Sequence, residues 1–235
     1  MIPKIIHYCW FGRGEKPKLA EKCIESWKKY CPEYTFVEWN EDSFDINCCA
    51  YVKEAYENKK FAFVTDYVRL YAMYTQGGIY MDTDVEVTKN LDSFLTHKAF
   101  SGFERQEYVP TGIMAAEKGL PIIKELLDYY IDRHFLKEDG TFDMTTNCKS
   151  ITDIMLKHGL ILNGQLQTVA DFTFYPSEYF CPFDYRTGKV SRTTNTAAIH
   201  WFNKSWLPKS LRSRTKVTRI FHRIFGVNCF KWLKK

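Results

Sequence analysis

Apolar residues in this chain follow two alternating spacings. Short runs typical of β-strands cover 2–10, 34–39, 79–81 and 99–103, and the i, i+3, i+4 spacing of helices covers 18–30, 50–58, 61–76, 121–133 and 150–158. Strands that alternate with helices indicate an α/β fold with a mostly parallel central sheet. Ligands of such sheets bind beyond the carboxyl ends of the strands, so a residue that directly follows a predicted strand is a candidate for a functional site.

Residues 61–84 join a predicted helix, a short apolar strand and two carboxylates. Asp82 and Asp84 directly follow the strand predicted over 79–81. Carboxylates at a buried strand end are costly to desolvate unless a positive charge meets them. Their oxygens suit Mn²⁺ or Mg²⁺, which proteins commonly hold with one or two carboxylates and the phosphates of a substrate. The pair therefore favours a metal-assisted site for a nucleotide diphosphate, with an ordinary polar turn as the alternative.

A second charged pair lies on the helix before this strand. Asp66 and Arg69 are three residues apart, so both project from one helix face. On the surface, such an ion pair would contribute little to stability. The same helix is crowded with apolar residues such as Phe63, Val64 and Val68, which favours a buried functional pair over a solvated one.

The length and composition fit one globular domain. Apolar residues make up 45% of the 235 positions, enough for a sizeable core, and no apolar run approaches the roughly 18 residues that a membrane-spanning helix needs. The N-terminus has no basic leader and no small-residue cleavage site, so we expect it to begin the mature fold. The eight cysteines show no C-x-x-C spacing, which favours free thiols in a reducing cytosol over disulfides or structural zinc.

The basic charge of the chain is concentrated at its C-terminal end. Residues 207–235 contain nine Lys or Arg and no Asp or Glu, whereas residues 1–206 contain 24 basic and 28 acidic residues. In this tail Ile220 and Ile224 are spaced four apart, so a helix here would have an apolar face among basic residues. Such helices are typical of membrane surfaces, and we expect an anionic membrane as partner rather than nucleic acid. A solvated tail or a helix that docks on a protein is the alternative.

Three blocks of the chain resemble glycosyltransferase family 32. The central block reads T-D-x-x-R-L-Y-x-x-Y-x-x-G-G-I-Y-x-D-x-D, and IPKIIHYCWFG and AIHWFNKSW are similar to the flanking blocks of that family. The family includes yeast initiating mannosyltransferases and bacterial capsule glycosyltransferases, and glucosylating clostridial toxins share its core. The resemblance implies a GT-A fold over residues 1–206, followed by the basic tail at 207–235. It also implies a nucleotide-sugar donor, a divalent metal and retention of anomeric configuration.

The resemblance assigns donor-binding roles to residues of the first two blocks. Trp10 would stack on the donor base, with a core tryptophan as the alternative. Thr65 would contact the sugar, and Asp66 would hydrogen-bond the sugar hydroxyls. Arg69 would lie near the diphosphate and the sugar, a role that suits the fixed, cationic guanidinium group. Tyr80 would flank the donor, although a buried strand tyrosine explains it equally well.

The remaining matches complete the implied site. Asp82 would contact donor hydroxyls or the metal, Asp84 would coordinate the metal directly, and His200 would complete the metal shell. A structural histidine is the alternative for His200. Ser205 and Trp206 would contact the diphosphate, although the Phe-Asn-Lys that precedes them departs from the small residues of many relatives.

The acceptor side is represented by fewer residues. The segments around Glu104 and Thr111 resemble the acceptor-facing strand and loop of the family, so these two residues are the acceptor-side candidates. The segment Thr145-Thr146-Asn147 departs from the Gly-Pro that is usual nearby.

The implied activity is that of a metal-dependent retaining glycosyltransferase with Asp66, Arg69, Asp82 and Asp84 as catalytic residues. The metal would be manganese or magnesium, and the donor a UDP-sugar or, as second choice, a GDP-sugar. The acceptor would be a glycan or lipid-linked glycan in surface or capsular polysaccharide synthesis, at the cytoplasmic face of the membrane. Two alternatives are a haloacid-dehalogenase-like phosphatase that uses the D-T-D motif and a non-catalytic nucleotide-sugar-binding module.

Overall fold

The computed structural model describes residues 1–104, 108–110, 112–203, 218–227 and 229. The helices are α1 (Lys18–Tyr30), α2 (Ala50–Glu57), α3 (Phe61–Gln76), α4 (Pro121–Asp128), α5 (Asn147–Lys157), the short α6 (Ser177–Phe180) and a tail helix at 218–225. The strands are β1 (Ile5–Cys9), β2 (Thr35–Trp39), β3 (Gly78–Met81), β4 (Val85–Val87), β5 (Ala99–Gly102), β6 (Ile113–Ala116), β7 (Gln167–Val169), β8 (Phe172–Tyr175), β9 (Phe183–Asp184), β10 (Lys189–Val190) and β11 (Ala198–His200).

A seven-stranded sheet forms the centre, in the order β2-β1-β3-β6-β5-β8-β7. Five of these strands run in the same direction, and β6 and β7 run in the opposite one. Successive side chains of β3 enter two separate hydrophobic clusters, Tyr80 in one and Ile79 and Met81 in the other, as alternation along a strand requires. The predicted α/β class with a mostly parallel central sheet is confirmed.

Two glycines connect α3 directly to β3. Gly77 ends the helix with φ +72°, and its N–H donates to the carbonyl of Met73. Gly78 has φ +111°, and a Cβ on it would lie 2.8 Å from the carbonyl oxygen of Ile5 on the neighbouring strand. Only a residue without a side chain fits this turn, which places the helix that carries Asp66 close to the end of β3.

Several element boundaries differ from those predicted from the spacing. Helix α4 ends at Asp128 rather than at residue 133, and α5 begins at Asn147 rather than at 150. The earlier start follows from Thr146, whose side chain accepts the N–H of Lys149 as an N-cap. Within the described residues, none of the helices combines the length and the apolar character needed to cross a bilayer.

Candidate functional site

Asp82 lies just beyond β3 and is held by residues of the same half of the chain. Its Oδ1 accepts the hydroxyl of Tyr80 at 3.0 Å and lies 3.1 Å from Nη2 of Arg69. Burial raises the pKa of Tyr80 well above its ordinary value, so the phenol remains a proton donor. The backbone N–H of Asp82 donates to the carbonyl of Gly112, which fixes the start of the loop against β6.

Asp84 is held instead by His200 and Asn203, far along the chain. Strand β11 pairs antiparallel with β4, which sets His200 opposite Val85. Nε2 of His200 lies 3.3 Å from Oδ1 of Asp84, and the N–H of Asn203 donates to Oδ2 at 2.6 Å. Burial disfavours the charged imidazole, but the Asp84 carboxylate outweighs it and holds the pKa of His200 well above its usual range. The Asp84 carboxylate and the His200 imidazole therefore form a closely paired acid and base.

The two aspartates and the histidine form one cluster. One ligand atom from each of Asp82, Asp84 and His200 lies within 4.8 Å of the other two. Gly112 keeps this space open, since a Cβ there would lie 3.1 Å from both Oδ2 of Asp82 and Cε1 of His200. Two carboxylates and an imidazole are ligands that Mn²⁺ accepts, so these residues fit a divalent cation.

The pair on α3 is buried beside this cluster. Asp66 and Arg69 are each only 6% exposed, and Nη2 of Arg69 lies 3.3 Å from Oδ1 of Asp66 as well as close to Asp82. The guanidinium also lies 4.5 Å from the ring centroid of Tyr80. Burial raises the pKa of Asp66 to about 7, although the charge of Arg69 opposes this shift. The pair is thus one buried network with Asp82, not a surface ion pair.

Trp10 and Thr65 lie near this network but outside the metal cluster. Trp10 directly follows β1, which is parallel to β3, so both strands end at the same sheet edge. Its indole N–H donates to the carbonyl of Gly14 at 2.6 Å, and the ammonium of Lys16 lies 5.6 Å from its ring centroid. The hydroxyl of Thr65 donates to the carbonyl of Phe61 within the helix.

The acceptor-side and diphosphate candidates are only partly visible. Glu104 follows β5, where its N–H donates to the carbonyl of Tyr108, and the thiol of Cys148 lies 3.9 Å from its carboxylate. Thr111, Ser205 and Trp206 lie outside the described residues.

Four residues of the site are absent from the sequence-based predictions. Gly112 and Asn203 are described above, and Phe202 stacks on His200 with ring centroids 4.0 Å apart. The backbone N–H of Asn147, at the first position of α5, lies on the side of the Asp66 carboxylate and lowers the pKa of that carboxyl, against the larger effect of burial. The threonine before Asn147 is an N-cap signal that could have placed a helix N-terminus there, whereas no local pattern marks Gly112 or Phe202.

Comparison with known proteins gives one family match and several relatives. Residues 17–101 match the model of the family described as the glycosyltransferase sugar-binding region containing the DXD motif. The chain is 27% identical over 146 residues to inositol phosphoceramide mannosyltransferase 3 of Schizosaccharomyces pombe, which covers 57% of this chain and 40% of that protein. It is 25% identical over 218 residues to an uncharacterised glycosyltransferase of Acanthamoeba polyphaga mimivirus, covering 88% of this chain and 85% of that protein.

Two solved structures are also similar to the chain. The PaToxG glycosyltransferase has 20% identity and a TM-score of 0.46, with 66% of this chain and 68% of that chain covered. A glycosyltransferase involved in glycosylation of the major capsid of a virus has 13% identity and a TM-score of 0.47, with 93% of this chain and 100% of that chain covered.

Proposed function

We propose that this chain is a glycosyltransferase that transfers a sugar from a nucleotide diphosphate sugar to a glycan acceptor in a metal-dependent, retaining reaction. The match of residues 17–101 to the glycosyltransferase sugar-binding region that contains the DXD motif, and the two related glycosyltransferases, support this proposal. The chain spans 40% of the length of the mannosyltransferase that it matches, so this activity is inferred for the chain from its own site. The observation that carries the proposal is the cluster of Asp82, Asp84 and His200 beside the buried Asp66–Arg69 pair. A UDP-sugar is the favoured donor and a GDP-sugar the second choice.

The metal ligands in this proposal are Asp82, Asp84 and His200, and the ion is Mn²⁺ or Mg²⁺. A divalent cation held by these three side chains would supply positive charge for the leaving diphosphate. Arg69 adds a fixed positive charge on the same side, already oriented by Asp66 and Asp82. Groups that are held in place before the reaction need no reorganisation in the transition state, which is the source of this kind of electrostatic catalysis.

The donor sugar would lie against the buried pair on α3. Asp66 accepts a hydrogen bond from Arg69 on Oδ1, which leaves carboxylate lone pairs for sugar hydroxyls. Trp10 would stack on the base at the neighbouring strand end, and Thr65 and Tyr80 would line the donor pocket. Ser205 and Trp206 remain proposed contacts of the diphosphate.

Front-side attack by the acceptor hydroxyl is the favoured route to retention. The carboxylates of Asp66 and Asp82 are both occupied by Arg69, and Asp84 is occupied by His200 and Asn203. Because each of these carboxylates already has a proposed role in donor or metal binding, we assign none of them as a covalent nucleophile. Glu104 and Thr111 are the proposed acceptor-side residues.

The cellular role we propose is surface or capsular polysaccharide synthesis at the cytoplasmic face of the membrane. The relative from Schizosaccharomyces pombe is named for a lipid acceptor, which supports a lipid-linked acceptor here. The tail supports a peripheral membrane position, because its helix exposes four large apolar side chains in a segment without acidic residues. These side chains are Ile220, Phe221, Ile224 and Phe225.

Calorimetric titration of UDP, UDP-glucose and GDP-mannose, with and without Mn²⁺, tests the donor proposal. We expect metal-dependent binding of one nucleotide class and slow hydrolysis of its sugar conjugate. The phosphatase alternative is not favoured, because the motif follows the third strand and Asp82 is already held by Arg69. Release of phosphate from p-nitrophenyl phosphate, without any binding of nucleotide sugars, would contradict the glycosyltransferase proposal.

Sedimentation with lipid vesicles tests the membrane proposal. We expect the full-length protein to bind anionic vesicles at low salt and to release them as salt rises, since each basic residue near the surface contributes about 1 kcal/mol that salt screens. The double variant Ile224→Asp and Phe225→Asp should bind more weakly. Equal binding of the variant, or no binding of the wild type, would contradict a membrane role for the tail.

A further inference from the structure

The tail helix rests on the hairpin formed by β9 and β10. Nε of Arg219 donates to the carbonyl of Tyr185 at 2.8 Å, and its guanidinium carbon lies 5.2 Å from the ring centroid of Phe183. Nδ1 of His222 lies 3.3 Å from the carbonyl oxygen of Arg186. The polar side of the helix therefore contacts the hairpin, while the apolar residues described above remain exposed.

The same hairpin packs against the residues that follow β11. The ring of Phe183 lies 5.3 Å from that of Trp201, and the ring of Tyr185 lies 5.1 Å from that of Phe202. Phe202 in turn stacks on His200, with centroids 4.0 Å apart and ring planes 29° from parallel. Phe183 also lies beside Phe202, with ring centroids 6.4 Å apart, so side-chain contacts lead from Arg219 through Phe183 and Phe202 to His200, a proposed metal ligand.

His200 depends on this stacking for the orientation of its ring. A metal-binding histidine usually donates its second ring N–H to a fixed acceptor, which sets the ring plane. Nδ1 of His200 is buried and has no hydrogen-bond partner among the described residues. The thiol of Cys181 lies near the ring, but its geometry does not satisfy Nδ1. The Asp84 carboxylate holds Nε2 of the ring, and the flat face of Phe202 is the contact that sets the plane of the imidazole.

The backbone of Phe202 indicates that this contact is imposed by the surroundings. Its φ is +50°, a conformation that few residues other than glycine adopt. Such a conformation persists where the packing around it outweighs the strain, and it is often found at functional sites. The hairpin on one side and His200 on the other supply that packing.

We propose that Phe202 and Arg219 are positioning residues for the metal ligand His200, so that the tail helix supports the metal site as well as contacting a membrane. The inference rests on the proposed metal-dependent function. Arg219 fixes the hairpin, the hairpin fixes Phe202, and Phe202 fixes the ring of His200. On this proposal the catalytic unit extends beyond residue 206 to include the tail helix.

We would titrate the full-length protein with Mn²⁺ and measure binding by calorimetry and by electron paramagnetic resonance. This experiment tests the proposal without any turnover. We expect Phe202→Ala to bind Mn²⁺ about tenfold more weakly, the lower end of the effect of outer residues that orient metal ligands. Phe202→Tyr keeps a flat ring and should restore the affinity. Arg219→Ala should lose affinity to a smaller extent, with Arg219→Lys in between.

Arg223→Ala is the matched control. Arg223 lies on the same helix, carries the same charge and is exposed, so this variant should bind Mn²⁺ as the wild type does. A purely structural role for Arg219 would lower the melting temperature and leave the Mn²⁺ affinity of the folded protein unchanged. Equal affinities of Arg219→Ala and Arg223→Ala would overturn the proposal.

The outcomes also separate this inference from the proposed function. If the wild type binds no Mn²⁺, both the metal-dependent function and this inference fail. If the wild type binds Mn²⁺ and Phe202→Ala binds it equally well, the positioning role alone is wrong. Should Phe202→Ala fail to fold, Phe202→Leu keeps the bulk but not the flat face, and wild-type affinity in that variant would be equally decisive.

Discussion

Asp82 and Asp84 are two positions apart, yet distant parts of the chain hold them. Asp82 is bound by Tyr80 and Arg69, which lie within 13 positions of it. Asp84 is bound by His200 and Asn203, and the hydrogen bond to Asn203 spans 119 positions. The first side of the site is built by local sequence, and the second side by a long-range strand pairing.

The two sides also differ in what supports them. The Asp82 side is made of α3 and β3, joined by two glycines and buried in the main core. The Asp84 side is made of the short strands β4 and β11, the tail helix, and the hairpin of β9 and β10, in which each strand has only two residues. Short elements with few neighbours open at a lower free energy than core elements. We therefore expect perturbations of the Asp84 side to affect metal binding before they affect the fold.

The largest expected effect is that of Asp84→Ala, which breaks the second side at its centre. We expect Mn²⁺ affinity and metal-dependent turnover to fall more than about 100-fold, since even outer residues around metal ligands account for about 10–100-fold. The variant also removes the partner of His200, so we expect a lower melting temperature, and the affinity is measured at a temperature where the variant is folded. Calorimetric titration with Mn²⁺ measures the affinity, and hydrolysis of the donor measures the turnover. Asp139→Asn, at an exposed loop, is the control, and full activity of Asp84→Ala with Mn²⁺ would exclude the metal assignment.

Asp66→Asn breaks the first side while leaving the metal cluster intact. A hydrogen bond to a charged group contributes about 1.5–3 kcal/mol, so donor affinity should fall roughly 10–100-fold. Burial raises the pKa of Asp66 to about 7 in the folded protein, against 3.8 in an unperturbed carboxyl. Ionisation of Asp66 therefore favours the unfolded chain more and more as the pH rises from about 4 to about 7.

The variant should consequently be more thermostable than the wild type at pH 8, and this advantage should disappear near pH 4. Melting curves at both values, together with UDP-sugar titration, separate the two effects. Unchanged donor affinity in the folded variant would contradict the donor-binding role of Asp66. A lower melting temperature than that of the wild type at pH 8 would contradict the predicted cost of ionising this buried carboxyl.

The sequence predicts the two sides of the site to different depths. The helix at 61–76 and the strand end at Asp82 follow from apolar spacing and from Gly77, and the structure confirms both. The partner of Asp84 requires the pairing of β4 with β11, and three-residue strands have no periodicity from which a register could be read. His200 is predicted only through the resemblance to a family. Gly112 is not predicted, because its role is to leave room between Asp82 and His200 and a glycine has no side chain that marks such a role.

Trp10→Ala tests whether the first side extends to the donor base. Stacking of a base on an aromatic ring contributes about 1–3 kcal/mol in nucleic-acid systems, so we expect nucleotide affinity to fall roughly tenfold. Mn²⁺ affinity without nucleotide should not change, because Trp10 directly follows β1 and is not part of the cluster of Asp82, Asp84 and His200. Trp10→Phe keeps a smaller aromatic face and should recover part of the affinity. Calorimetry that finds unchanged UDP and GDP affinity in folded Trp10→Ala would contradict stacking.

Gly112→Ala, with the smallest expected effect, acts where the two sides meet. The new Cβ would lie 3.1 Å from Oδ2 of Asp82 and from Cε1 of His200, and 2.8 Å from a methyl of Val85. The valine methyl must move, and overpacking of this kind costs about 1–3 kcal/mol. We expect Mn²⁺ affinity to fall a few-fold, with donor affinity in the absence of metal unchanged. Gly119→Ala is the matched control, since a Cβ there meets no neighbour within 4 Å. Because Gly119 has a φ of +73°, we expect this variant to lose some stability but to bind Mn²⁺ as the wild type does. Equal Mn²⁺ affinity in Gly112→Ala and the wild type would show that the space between Asp82 and His200 is not where the cation binds.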